Sequence, residues 1–295
     1  MIYLWFSIAG IVAGLCAGLF GVGGGMVIVP ALIWILAYYG LPSDIVPHVA
    51  VGTALATIIL TSISSMSAHH KRGGVRWEIF KNMAKGLVLG SLVGAWVATL
   101  IDGAMLQAIL GGGAILMAVK MLFFPNQERL DIPPPADYKQ TFAGVVIGIL
   151  SAIFGIGGGS LTVPYLSQNG VPMKQAVGTS AACGLPIAIA GALGFIWFGH
   201  QGGSVDQVDG LIGFVHIGAF ITISILSFVM AKVGAHLAPR PACTDTQACL
   251  WRTTDDRRRT ADGEWVFLNN HPYISLTLRH SNKKAWLSMP SFFDG

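Results

Sequence analysis

Two glycine-rich runs are the parts of this sequence best suited to chemistry. Gly21-Val-Gly-Gly-Gly25 is followed by Pro30, and Gly155-Ile-Gly-Gly-Gly159 is followed by Pro164 at the same spacing. Neither run has the Lys-Ser/Thr pair of a phosphate-binding P-loop, so a nucleotide site is not indicated. Inside a membrane, such a run breaks a helix and exposes backbone N–H groups and a helix N-terminus. Those groups attract anions without any charged side chain.

Hydroxyl groups near these runs could donate hydrogen bonds to an oxyanion. A second matched pair, Ala50-Val-Gly-Thr53 and Ala176-Val-Gly-Thr179, follows the runs in the same order, and Ser160 and Thr162 follow the second run directly. A hydroxyl can equally bond its own helix backbone, and glycines can serve only close helix packing. The predicted substrate-binding residues are Gly21, Gly23, Gly24, Gly25, Thr53, Gly155, Gly157, Gly158, Gly159, Ser160, Thr179 and Ser180.

Other reactive residue types do not form a recognisable site. The four cysteines lack the spacing of zinc ligands, and Cys16 and Cys183 lie in apolar segments, where cysteine usually acts as a small hydrophobe. For His48, which precedes the first Val-Gly-Thr element, an interfacial role is favoured over proton coupling. No Ser-His-Asp set, carboxylate pair or metal-ligand cluster emerges. We therefore predict no catalytic residue, no metal, no cofactor and no enzyme activity.

The elements that must position these residues are membrane-spanning helices. Hydrophobic residues make up 53% of the chain, charged residues only 11%, and the mean hydropathy is +0.65. Residues 1–43 and 45–70 carry no charge, and each stretch exceeds the roughly 20 residues that cross a bilayer as a helix. The net charge of +4 forms no basic stripe for nucleic acid. We predict an all-α polytopic membrane protein with helices at 4–20, 26–39, 45–67, 85–101, 105–124, 141–154, 160–166, 175–198 and 211–232.

The matched motifs indicate an internal duplication. Basic residues cluster between two helices of the first copy, whereas the corresponding loop of the second, 200–209, has no Lys or Arg. Because cytoplasmic loops collect basic residues, this asymmetry predicts two inverted halves. Inversion requires each glycine-broken segment to be a re-entrant hairpin or half-helix; a single crossing by residues 4–39 is the alternative. The basic residues are Lys71, Arg72, Arg76, Lys81 and Lys85.

This pattern divides the chain into four segments. We predict a first transmembrane repeat at 1–124, a proline-containing linker at 125–140, and a second repeat at 141–238 that lacks its expected last helix. These two repeats are called the first half and the second half below. Residues 239–295 form a charged tail, which is either a soluble cytoplasmic extension or a disordered product of a reading-frame shift near Ala238. We favour the frame shift.

The two glycine runs with their prolines and the two Val-Gly-Thr elements together resemble the sulfite exporter TauE/SafE family over about Met1 to Leu237. The resemblance implies a permease of the bacterial inner membrane with duplicated halves. It also implies transport of small sulfur-containing or organic anions such as sulfite, sulfonates or sulfoacetate. Members of the family commonly end with one more apolar helix, where this chain has its charged tail.

Duplication and paired helix breaks favour a secondary transporter for a small anion, because two halves can rock about one shared site. The alternatives are a membrane-embedded receptor or scaffold without transport and, less favoured, a membrane enzyme. The expected partners are a small anionic substrate and the lipid bilayer, with no nucleic acid, and a homo-oligomer is left open. The predicted location is the bacterial inner membrane, crossed several times.

Overall fold

A computed structural model describes residues 2–20, 24–123, 136–201 and 210–237. The chain divides into two units, Met1–Ala238 and Pro239–Gly295, and every described residue lies in the first. Gly21 and Gly23 of the first glycine run, most of the predicted linker, residues 202–209 of the acidic loop and the charged tail lie outside the described residues.

The described chain is almost entirely helical, which confirms the predicted all-α class. Its helices are α1 Ile2–Phe20, α2 Gly25–Tyr38, α3 Val46–Lys71, α4 Trp77–Thr99, α5 Gly103–Phe123, α6 Asp137–Phe154, α7 Gly159–Gln168, α8 Met173–Gln201 and α9 Ile217–Leu237. A short antiparallel hairpin, β1 Leu211–Ile212 and β2 Val215–His216, precedes α9.

Two predicted helix starts are wrong. α4 begins at Trp77 and not at 85, because Glu78 lies in its first turn and the Asn82 amide is held by the Asp137 carboxylate at 2.7 Å. The segment predicted to begin the last helix at 211 forms the hairpin instead, and α9 begins at Ile217. Gly213 makes that turn with a φ of +51°, a conformation that favours glycine.

Apolar side chains face outward and many polar ones face inward. Leu116 and Trp197 are 70% and 68% exposed, whereas the hydroxyl-bearing residues Thr57, Ser91 and Thr179 are fully buried. A water-soluble protein shows the opposite distribution, and exposed apolar faces of this kind suit a lipid environment. By length and composition, α3 and α8 can each cross a membrane.

Helices of the two halves pack against each other through glycine. α4 packs along α6, α1 along α9 and α3 along α8. At Gly94 of α4, a methyl group would come within 2.5 Å of the Ile149 carbonyl oxygen of α6, and at Gly148 it would come within 2.6 Å of the Leu87 oxygen of α4. Glycine on both faces therefore lets these two backbones approach closely, as is common between membrane helices.

Candidate functional site

The second glycine run interrupts the helical structure between α6 and α7. α6 ends at Phe154, and Gly155 follows in the left-handed conformation with φ +64° and ψ +27°. Gly158, at φ +74° and ψ −16°, caps the N-terminus of α7, which begins at Gly159. Residues with a Cβ rarely adopt these dihedrals, so Gly155 and Gly158 allow the chain to turn between the two helices.

At the described end of the first run, the backbone adopts a different conformation. Gly24 is the N-cap of α2 with φ −69° and ψ −11°, which any residue can adopt. It packs against α1, where its Cβ position would lie 3.4 Å from the Ala13 carbonyl oxygen. The next residue, Gly25, begins α2 and is buried.

The described parts of the two runs touch. A methyl group at Gly25 would collide with the carbonyl oxygen of Gly155 and would lie 3.2 Å from the Cα of Ile156. Ile58 of α3 closes the same junction, because its side chain would lie 2.9 Å from a Cβ at Gly25 and 2.7 Å from one at Gly157. The structure therefore brings Gly25, Gly155 and Gly157 together.

Three hydroxyl groups at the second run are buried and, among the described residues, have no hydrogen-bond partner. They belong to Ser151 at the end of α6 and to Ser160 and Thr162 in the first turn of α7. The Cβ position of Gly158 lies 3.5 Å from Thr162 Oγ1 and 3.7 Å from Ser151 Oγ. Ser151 and Thr162 therefore lie beside the residue that caps α7, and Ser160 lies in the first turn of that helix. These three hydroxyls are called the hydroxyl cluster below. The stretch from Gln140 to Met173, which carries the cluster, has no charged residue.

Ser151 is not among the residues predicted from the sequence, although a usable signal exists. The residue lies four positions before Gly155, so in an α-helix it stands one turn before the break and on nearly the same face. A search for hydroxyls one turn before each glycine run, as well as just after it, would have found this side chain.

The hydroxyls of the two Val-Gly-Thr elements are engaged elsewhere. Thr53 Oγ1 accepts a hydrogen bond from the backbone N–H of His216 at 2.9 Å, and Thr179 Oγ1 accepts one from the N–H of Arg76 at 3.0 Å. Ser180 donates to the Val177 carbonyl of its own helix at 2.9 Å. Each threonine thus holds a connection of the other half: Thr53 the hairpin before α9, and Thr179 the link between α3 and α4.

The glycines beside these threonines make the same cross-half contact. A methyl group at Gly52 would collide with the carbonyl oxygen of Phe214, and one at Gly178 would collide with that of Gly74. In each contact the glycine lets the connection approach the helix. The threonine that follows the glycine accepts a hydrogen bond from a backbone N–H of that connection. We call these two contacts the threonine clamps.

His48 joins three elements through its ring. Nδ1 lies 3.1 Å from the Asp44 carbonyl oxygen, and Nε2 lies 3.1 and 3.0 Å from the carbonyl oxygens of Ala98 and Ile101. The ring also stacks on Phe214 of the hairpin at 5.1 Å. These contacts give the buried histidine a structural role between the start of α3, the end of α4 and the hairpin.

The described residues add no metal ligands or cysteines to the site. Within the described ranges, no group of three or more His, Cys, Asp or Glu residues could hold a metal ion. Cys183 is fully buried in α8, and Cys16 is partly buried in α1. An apolar cleft of about 580 Å³ lies apart from the hydroxyl cluster, between α4 and the end of α8, lined by residues such as Leu92, Leu193 and Trp197.

Comparison with known proteins agrees with these features. The profile of the family described as "Sulfite exporter TauE/SafE" matches residues 6–244. A "Probable membrane transporter protein" of Haemophilus influenzae is 32% identical over 228 residues, which cover 77% of this chain and 86% of that protein. Similarly named proteins of Methanocaldococcus jannaschii and Bacillus subtilis are 29% and 31% identical, over 77% and 68% of this chain and 83% and 80% of theirs.

No solved structure matches the chain. The family match covers most of the sequence, including both glycine runs and both threonine clamps. The relatives named above are all described as membrane transporters. The chain therefore belongs to the sulfite exporter TauE/SafE family, a family of membrane transporters.

Proposed function

We propose that this protein is a secondary transporter that moves a small anion across the bacterial inner membrane. The proposed cargo is sulfite, a sulfonate or a related sulfur-containing or organic anion, and it binds where the two glycine runs meet. The observation that carries the proposal is the direct contact of Gly25 with Gly155 and Ile156. A helix N-terminus at such a junction offers N–H groups to an anion without a basic side chain.

Two inverted halves are part of this proposal. The threonine clamps support it, because each half holds the other through the same pair of residue types. The packing of α4 on α6 and of α1 on α9 supports it too, since these pairs exchange under a two-fold relation between the halves. Such a relation would place both runs near one axis at the middle of the membrane.

Re-entrant segments are the second part of the proposal. α7 has 10 residues and α2 has 14, which correspond to about 15 and 21 Å of helix. The hydrocarbon core of a bilayer is about 30 Å thick, so neither helix can cross it alone. Short helices that begin at a central break are the arrangement in which transporters place helix N-termini at mid-membrane.

Transport requires the junction to open. In the described arrangement Gly25, Gly157 and Ile58 leave no room for an added methyl group, so an anion can be admitted only if the halves separate. Movement of one half against the other would expose the junction to each side of the membrane in turn. A receptor or scaffold without transport would bind the anion without this movement, and a membrane enzyme would convert it chemically.

Flux through proteoliposomes tests the proposal. The full chain should carry radiolabelled sulfite or methanesulfonate, and Gly157→Ala should abolish the flux, because the new methyl group would press on Ile58. Gly111→Ala is the matched control, since its Cβ position has no atom within 4 Å. Failure of the wild-type chain to carry any sulfur oxyanion, sulfonate or carboxylate would refute the transporter proposal.

A further inference from the structure

The hydroxyl cluster differs from most other hydroxyls of the described helices. Thr57 and Ser180, for example, each donate to the carbonyl three residues earlier in their own helix. That bond is the usual way for a buried helical hydroxyl to be satisfied. Ser151, Ser160 and Thr162 make no such bond, although Ser151 and Thr162 are fully buried. A buried donor without a partner costs free energy, so three of them at one helix break need a reason.

Backbone donors at the same place add to the hydroxyls. α7 has no side-chain cap, and among the described residues none accepts a hydrogen bond from the N–H of Gly159 or Ser160. Thr162 Oγ1 and Ser151 Oγ both approach the capping residue Gly158. The start of α7 therefore has two backbone donors and three unpaired hydroxyls, and the hydroxyls of Thr162 and Ser151 both lie beside its capping residue. Ser91 of α4 and Ser224 of α9 are also unpaired, but neither lies at the start of a helix.

We propose that the hydroxyl cluster binds the head group of a singly charged oxyanion, such as a sulfonate or hydrogen sulfite, and excludes dianions such as sulfate. This inference rests on the proposed function, whose substrate class it narrows. It assigns binding to Ser151 and Thr162 together with Ser160. The donors number five by the count above, which suits a head group with two or three oxygens that each accept one or two hydrogen bonds.

The lack of charged residues between Gln140 and Met173 sets the preference for a single negative charge. Removing an ion from water costs free energy that grows with the square of its charge, so a dianion loses about four times as much hydration as a monoanion of equal size. Attraction to neutral N–H and O–H dipoles grows only in proportion to charge. A site without Lys or Arg can therefore compensate for the dehydration of a monoanion far better than for that of a dianion.

Equilibrium binding to the purified full chain tests the assignment. Radiolabelled methanesulfonate, which carries one charge, and sulfate, which carries two, are the probes. Methanesulfonate should bind at least about tenfold more tightly than sulfate. Ser151→Ala, Ser160→Ala and Thr162→Val should each weaken methanesulfonate binding by about tenfold, the usual effect of one hydrogen bond to a charged group. The triple variant should show no measurable binding.

Two matched variants separate binding from folding. Ser167→Ala changes a fully buried serine of α7 outside the cluster, whose hydroxyl already donates to the Pro164 carbonyl at 3.2 Å, and it should leave the affinity unchanged. Thr162→Ser keeps the hydroxyl and should keep the affinity within about threefold. In buffer without the anion, Ser151→Ala should melt no earlier than the wild type, because an unpaired hydroxyl contributes nothing to stability.

The outcomes distinguish this inference from the transporter proposal. Binding without flux would leave the hydroxyl cluster in place and refute transport. Flux that the triple variant carries as well as Ser167→Ala does would refute the cluster and leave transport in place. Sulfate binding as tight as methanesulfonate binding would overturn the charge preference, and no binding of either probe to the wild-type chain would overturn the site.

Discussion

The two glycine runs share a sequence pattern but differ in the side chains around them. Aligning Gly21 with Gly155 places Ala17 opposite Ser151, Met26 opposite Ser160 and Ile28 opposite Thr162. Each hydroxyl of the cluster thus has an apolar counterpart in the first half. The two runs share the residues that break and pack the backbone, while the hydroxyl donors occur in the second run only. The junction is therefore polar toward α7 and apolar toward α2.

The threonine clamps show the opposite behaviour, because each half contains one. Thr53 and Thr179 have the same residue before them, accept from a backbone N–H at nearly the same distance and are fully buried. A clamp that joins each half to the other is needed on both sides. A binding site at a shared junction needs its donors only once. The contrast suggests that symmetry persists where packing demands it.

The largest expected effect is a loss of stability that follows from the different backbone conformations of the two runs. Gly155→Ala should destabilise the protein by about 3 kcal/mol, because the left-handed φ costs about 1–2 kcal/mol and crowding in a packed core adds a similar amount. The methyl group would lie 2.7 Å from Val29 Cγ2. Gly24→Ala in the first run should cost about 1 kcal/mol or less, since its φ is ordinary for alanine. Equilibrium unfolding in mixed micelles measures both values.

Gly40→Ala is the control that isolates the backbone contribution. Its φ is +84°, but its Cβ position has no atom within 4 Å. Its free energy of unfolding should therefore fall only by what the left-handed conformation costs alanine, about 1–2 kcal/mol. Equal losses at Gly40 and Gly155 would show that the contact between the two runs is not tightly packed, which would remove the basis for a shared junction.

The threonine clamps should give the next largest effect, and it should be the same in both halves. Thr53→Val and Thr179→Val each leave a backbone N–H without its acceptor, that of His216 or Arg76. Each change should cost about 1–3 kcal/mol in the same unfolding measurement. Thr57→Val is the control, because that hydroxyl bonds only the Ala54 carbonyl of its own helix. A loss at one clamp alone would argue against equivalent halves.

Much of the fold follows from the sequence, and the exceptions have local causes. Charge-free apolar runs predict the helices because lipid-exposed backbone must bond internally. The start of α4 was missed because Glu78 and Lys81 look like loop residues, although they form helix where the chain leaves the apolar region. The hairpin at 211–216 was missed because its two-residue strands are too short to show a pattern.

The candidate site was harder to predict than the fold. Glycine spacing correctly marked a helix break at 155–158, because Gly155 and Gly158 adopt left-handed dihedrals there. Hydroxyls cannot be assigned from spacing alone, since a threonine beside a motif can face either the break or another connection. Thr53 and Thr179 bond connections of the opposite half, a contact between residues more than a hundred positions apart that no local pattern reveals.

The smallest expected effect tests whether the difference between the runs matters for binding. Met26→Ser places a hydroxyl in the first run at the position that corresponds to Ser160. Met26 is only partly buried, so the change should cost about 1 kcal/mol or less. Methanesulfonate affinity should stay within about twofold, because the corresponding residues Ala17 and Ile28 have no hydroxyl with which the new one could share an anion. A clear gain in affinity would mean that both helix N-termini contact the anion, and the symmetric two-run site would then replace the one-sided site.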